Sequence, residues 1–128
     1  MSILNWLLVI IGEILVAIGI FCDLMGSIGM HRFKNFYLRL HAATVGTIGG
    51  AFVPLIGASL IAIGSEFLGY YRWFMAGGAL VTAILILILA PAGTHALARA
   101  THKARVTPVE PKIADHLEED EDAKESER

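Results

Sequence analysis

The sequence has a single cysteine, Cys22, and little charge, with Asp, Glu, Lys and Arg making up only 17% of it. One thiol forms no internal disulfide and supplies no cysteine-based metal cluster. So little charge beside 55% apolar residues is foreign to an ordinary soluble domain, and 128 residues are too few for a large transporter on its own. The signatures of a self-contained enzyme are missing as well: there is no nucleophile elbow, phosphate loop, dinucleotide fingerprint or CxxC pair. His31, His41, His95 and His102 make no i, i+3 or i+4 pairing with a carboxylate, and their spacing is unlike that of zinc motifs. No metal, cofactor, catalytic residue or nucleic-acid partner is expected. No Lys or Arg precedes the first apolar run and no small-x-small site stands ahead of Asp23, so that run reads as a retained span rather than a cleaved signal. Phe21 is too bulky a neighbour for Cys22 to be a lipoprotein cysteine.

What the chain has in quantity is apolar length. Residues 3–22, 44–64 and 73–92 form three runs of about 20 residues, each on the order of 30 Å as helix and long enough to cross a bilayer core. The expected fold is an all-α, multi-pass protein of the cell membrane with three transmembrane helices. Lys and Arg near span ends are retained on the cytoplasmic side. Arg32, Lys34 and Arg39 lie in the first link and Arg99, Lys103 and Arg105 follow the third run, against Arg72 in the second link. This bias predicts the N-terminus outside and the C-terminus in the cytoplasm, with Trp6, Tyr70, Tyr71 and Trp73 at the outer interface, where aromatic rings are favoured. Residues 1–95 then make the membrane domain and 96–128 a charged cytoplasmic tail. From Asp115 onward, eight acidic residues face only Lys124 and Arg128. That composition predicts a solvated, disordered extension, with a docking strip for a basic partner as the other reading.

Lipid gives no hydrophobic drive between helices, so faces of small residues mark close packing. Gly12, Gly19 and Gly26 recur every seven residues in span one and stay within about 40° of one another on a helix. Span two carries Ala42, Gly46 and Gly50 at intervals of four, and span three has Gly78, Ala79, Thr82 and Ala83. These faces exceed what three helices need for each other, which points to neighbouring membrane subunits; a compact homomeric bundle is the alternative. Pro54, in the middle of span two, has no N–H for the carbonyl of Gly50, so a kink or local opening is expected. Such a break serves either as an ion ligand or for packing alone.

Two carboxylates lie at membrane depth. Glu13 is near the middle of span one, where acids normally face protein or water and often serve transport. Asp23 lies about 15 Å further along and within about 20° of the Gly12 and Gly19 stripe. Together they suggest steps of a cation or proton path, against the plainer reading of a hydrogen-bonding Glu13 and a solvated span-end Asp23.

The most distinctive stretch is the link after span one. If residues 32–41 form an interfacial helix, Phe33, Phe36, Tyr37 and Leu40 cover one stripe and Arg32, Asn35 and Arg39 share another, as in an amphipathic helix lying on membrane lipid. Its arginines suit lipid phosphate, carboxylates of a neighbouring subunit, or Asp23. The pattern Gly29-x-x-Arg32-Phe33-x-x-x-Tyr37-x-Arg39-x-His41-Ala42-Ala43-Thr44, set between the first two of three spans, resembles the small G subunit (MnhG, MrpG or PhaG) of Mrp-type multisubunit sodium/proton antiporters. The resemblance covers residues 3 to about 95. Where the family usually has Pro-Asp this chain has Lys34-Asn35, so roles of those family residues do not carry over.

The resemblance implies a non-catalytic membrane subunit that joins other Mrp subunits and helps assemble or line the path of sodium and protons. It marks Arg32, Tyr37, Arg39, His41 and Thr44 as subunit or interface contacts. The same module occurs in membrane-bound hydrogenases and sulfur-reducing respiratory complexes, so hydrogenase or sulfur-reductase subunits are further candidate partners. Two other functions compete. A small proton-coupled exporter working alone through Glu13 would need a fourth span, and a purely structural subunit would place no polar group in any path.

Overall fold

The computed structural model describes residues 1–105 and 124–127. Three long apolar helices carry the fold: α1 (Ile3–Arg32), α2 (Phe36–Gly64) and α3 (Tyr71–Lys103). Among the described residues there is no strand, and the chain is an all-α, three-span membrane protein. Ser2 caps α1, its Oγ accepting from the N–H of Asn5 at 3.3 Å. His31 and Arg32 close the helix, placing basic side chains at the negative end of its dipole.

The turn to α2 needs only three residues. Phe33 is extended and donates its N–H to Gly29 O, and Asn35 caps the next helix by accepting from the N–H of Tyr37 at 3.0 Å. Arg39 then reaches back, its Nε donating to Phe33 O at 2.6 Å. The expected separate interfacial helix over 32–41 is corrected here. Arg32 ends α1, residues 33–35 form the turn, and Phe36 to His41 are the first turns of α2 itself. The reason is local: with Asn35 as cap, no Gly or Pro interrupts the chain before Gly46, so nothing ends the helix ahead of the apolar run. Arg32, Asn35 and Arg39 therefore do not share one helical face.

Within α2 the α-helical halves Phe36–Thr47 and Val53–Gly64 are joined by a π-helical turn, Ile48–Phe52. A short turn of 3-10 helix, Glu66–Leu68, leads to α3, with Gly69 at φ 57°, a left-handed conformation that glycine adopts without penalty. Glu66 ties this loop to the start of α1. Its carboxylate accepts from Asn5 Nδ2 and lies 3.3 Å from the N-terminal ammonium.

α3 continues through Pro91 to Lys103, past the end of the apolar run at residue 92. Hydropathy marks where the run ends, while Ala96, Leu97, Ala98 and Ala100 keep the helix going. Thr94 Oγ1 donates to Ala90 O and Pro91 O beside the proline, at 2.9 and 3.0 Å. The boundary expected between residues 95 and 96 falls inside this helix. Of the acidic, disordered tail expected from residue 115, all but 124–127 lies outside the described residues, and 124–126 form one helical turn.

The helices stand in a row with α2 in the middle, packed on α1 along one side and on α3 along the other. Small residues make the contacts. Among the described residues the buried apolar side chains are Ala42, Ala62, Ala76 and Ala83, whereas Ile10, Ile14, Ile20, Phe21, Leu24 and most other large apolar groups face outward. Ser59 of α2 is 2% exposed and donates to Ala76 O of α3 at 3.1 Å, a hydrogen bond between helices.

Candidate functional site

The α1–α2 contact is built on glycine. In α1 the buried residues are Gly12, Gly19, Gly26 and Gly29. A methyl group on Gly12 would lie 2.6 Å from Gly57 O, one on Gly19 1.9 Å from Pro54 Cγ, and one on Gly26 3.0 Å from Gly46 Cα. Backbones this close leave space for side chains only at the edges of the contact, and at one edge stands Asp23. A methyl group on Gly50 would meet Asp23 Oδ1 at 2.8 Å, and one on Gly46 would lie 3.7 Å from the same oxygen. The carboxylate thus lies along α2 at its π turn, and the neighbouring Cys22 covers Gly49.

Beside it is an open groove of about 330 Å³, lined among others by Asp23, Ser27, Met30, Thr47 and Gly50. Pro54 stands about one helical turn beyond Gly50, outside the lining. Val53 donates its N–H to Ile48 O, five residues back, so the carbonyl in register with residue 54 is that of Gly49. Proline has no N–H to offer it. Thr47 uses its hydroxyl hydrogen on Ala43 O at 2.9 Å, which leaves the lone pairs of Oγ1 unspent. The groove therefore offers one carboxylate and two hydroxyls, those of Asp23, Ser27 and Thr47, and all three side chains are exposed.

The other predicted residues are spread out. Glu13 is exposed, about 100° round α1 from the buried Gly12 and on the order of 15 Å from Asp23 along the axis, so the two carboxylates do not meet. Arg32, Arg39 and His41 are exposed near the turn, and neither arginine pairs with a carboxylate among the described residues. Tyr37 is half-buried, its ring edge-on to Phe36 with centroids 5.8 Å apart. Thr44 Oγ1 donates within the helix to Leu40 O at 3.0 Å.

Sequence reasoning passed over Ser27, Thr47 and Ser59. Gly49-Gly50 four or five residues before Pro54 was the available signal for the π turn. Nothing local marks a hydroxyl as facing a neighbouring helix, since that depends on which helix stands in the middle.

Comparison with known proteins adds a family. A family model described as Na+/H+ antiporter subunit, PhaG/MnhG/YufB, matches residues 15–102. A UPF0091 protein of Rickettsia conorii is 41% identical over 91 residues, covering 71% of this chain and 78% of the relative. A UPF0091 protein of Pyrococcus horikoshii is 32% identical over 104 residues, with 80% and 86% covered. The provisionally named antiporter subunit mnhG2 of Staphylococcus saprophyticus is 27% identical over 103 residues, with 80% and 66% covered. No solved structure gives a significant match.

Proposed function

The chain belongs to the PhaG/MnhG/YufB family of Na+/H+ antiporter subunits, and from that premise we propose that it is a non-catalytic subunit lending its α1–α2 groove to the ion path of a multisubunit sodium/proton antiporter. The observation that carries the ion-path role is Asp23, a carboxylate held against the π turn of a membrane helix. Carboxylates inside membrane proteins mark ion or proton routes by default, and irregular backbone is tolerated there where it lines a polar cavity.

The row arrangement supports a subunit role. α2 is covered on two sides, but α1 and α3 each keep one side free, and Gly77, Gly78 and Gly93 of α3 have no atom of another helix within 4 Å of where a side chain would begin. A mid-span carboxylate such as Glu13 is costly against lipid. A neighbouring subunit covering that side of α1 would relieve the cost and make Glu13 a second step of the path. Arg32, Tyr37, Arg39, His41 and Thr44 all lie toward the Arg32 end, which the Lys/Arg bias assigns to the cytoplasmic face, and there they serve as contacts to neighbours or lipid headgroups.

Gentle detergent extraction, native electrophoresis and identification of co-migrating chains test this. Other Mrp-type subunits are expected, and co-migrating hydrogenase or sulfur-reductase subunits would name a respiratory host carrying the same module. A chain that migrates alone, and whose deletion leaves sodium/proton antiport in membrane vesicles intact, would remove the assignment.

A further inference from the structure

Three cations share the short turn between α1 and α2. Arg32 ends α1, Lys34 follows two residues later, and Arg39 reaches back from α2 to donate its Nε–H to the carbonyl of Phe33, the residue between them. The turn is held at three points. Phe33 N–H bonds Gly29 O at 3.0 Å, Arg39 bonds Phe33 O at 2.6 Å, and Asn35 Oδ1 accepts from Tyr37 N–H at 3.0 Å. The Arg39 guanidinium is thereby fixed over the turn, and its two NH2 groups keep four N–H donors for another acceptor. All three cations are exposed, and none forms an ion pair among the described residues. The nearest acid along α1 is Asp23, about 14 Å from Arg32 by helical rise. Like charges gathered in this way repel one another, and an anion held among them reverses the sign of that energy.

The level of the turn selects the anion. Arg32 closes a helix long enough to cross a bilayer, and the apolar Met30, Phe33 and Leu38 beside it are exposed. Apolar side chains and cations at one level mark the boundary between acyl chains and headgroups. We propose that the Arg32–Lys34–Arg39 turn binds the headgroup phosphate of an anionic phospholipid, the Arg39 fork taking the phosphate oxygens and Arg32 and Lys34 flanking them. A zwitterionic lipid is disfavoured, because it would bring its own ammonium among three cations. Of the two contacts open to these residues, lipid and protein, the proposal takes lipid. It requires only that the chain spans a membrane, so it stands or falls apart from the antiporter role.

The molecule supplies its own control. Phe36 lies as many residues before Ser59 as Arg99 lies after Ala76, so the Ser59–Ala76 hydrogen bond brings Arg99 level with the turn, with Lys103 about 6 Å beyond, on the far side of α2. Native mass spectrometry of the purified full chain in detergent micelles, titrated with phosphatidylglycerol or phosphatidylcholine, tests the proposal. Phosphatidylglycerol is expected to bind about tenfold or more tighter, since each basic group at an anionic membrane surface contributes about fivefold. Arg32→Gln with Lys34→Gln should then weaken it by about 25-fold. Arg99→Gln with Lys103→Gln removes the same charge at a similar level and should leave the tightest site within about twofold of the parent. Arg39→Lys keeps the charge but loses the planar fork, and a several-fold loss is expected; this variant decides the matter if the double exchange at the turn disturbs folding. Equal affinity of the parent chain for the two lipids would overturn the site. Equal losses from the two double variants would do the same, because the charge would then act diffusely. Displacement of phosphatidylglycerol by inorganic phosphate would assign the turn to a soluble anion instead. In a complex extracted with its neighbours the lipid should be retained at the turn, and its loss on assembly would give the turn to carboxylates of another subunit and overturn the lipid site.

Discussion

A methyl group added at Gly19 is the sharpest probe of the α1–α2 contact. In the structure it would sit 1.9 Å from Cγ and 2.5 Å from Cδ of Pro54, whereas unstrained carbons pack at about 3.5–4.0 Å. The proline ring is rigid and cannot rotate away, so the helices must part. Overpacking of this kind costs about 1–3 kcal/mol. The same substitution also gains about 0.8–1.0 kcal/mol of helix propensity, which would mask part of the loss. Gly77 supplies the control, being a helical glycine of α3 with nothing within 4 Å. Gly77→Ala carries the propensity gain alone, so the difference between the two variants isolates the packing cost at about 1–3 kcal/mol. Unfolding of the purified chain in mixed micelles, followed by circular dichroism as denaturing detergent is titrated, reads that difference. Equal stability of Gly19→Ala and Gly77→Ala would refute the glycine–proline contact and the position of Asp23 that depends on it.

Three further outcomes follow from the same geometry. Ser59→Ala removes the hydrogen bond to Ala76 O and should lower stability in that assay by about 0.6 kcal/mol, the average for such bonds between membrane helices, and by no more than about 1.7 kcal/mol; no change would mean the bond does not form. Asn35→Ala deletes the cap of α2 and should cost about 0.5–2 kcal/mol, while Asn35→Asp should retain most of it, and amide hydrogen exchange at Phe36 to Leu38 would show fraying in the first variant only. Glu13→Gln should leave unfolding of the isolated chain unchanged, because the side chain stands away from the α2 contact. In the assembled antiporter it should reduce transport, and undiminished transport would take Glu13 out of the ion path.

What the sequence made legible, and what it did not, follows from the range of each signal. The seven-residue recurrence of Gly12, Gly19 and Gly26 is a property of one helix, and it locates the buried stripe without knowledge of the partner. The three spans are legible for the same reason, since each contains its own apolar length. The order of helices in space is not such a property. That α2 stands between α1 and α3, so that Ser59 reaches Ala76 and Gly77 faces outward, depends on packing across helices that no single stretch records. The turn at 33–35 misled for a related reason. An amphipathic pattern over 32–41 describes which groups prefer water, but the helix obeys its cap, and Asn35 starts it inside that window.

Pro54 shows how a local signal becomes a site only through a distant one. From sequence it predicts a broken hydrogen-bond ladder, and the helix answers with a π turn over Ile48–Phe52. By itself that turn is an ordinary accommodation of proline in a membrane helix. What changes its meaning is Gly19, whose missing side chain admits the proline ring and brings α1 near enough for Asp23 to lie on Gly50. Asp23 follows Gly19 by four residues, one helical turn, so the contact that seats the ring also delivers the carboxylate to the opened backbone. A bulky residue at 19 would separate the two halves of the groove even though neither half had been altered, and for that reason Gly19 belongs to the site as much as Asp23 does.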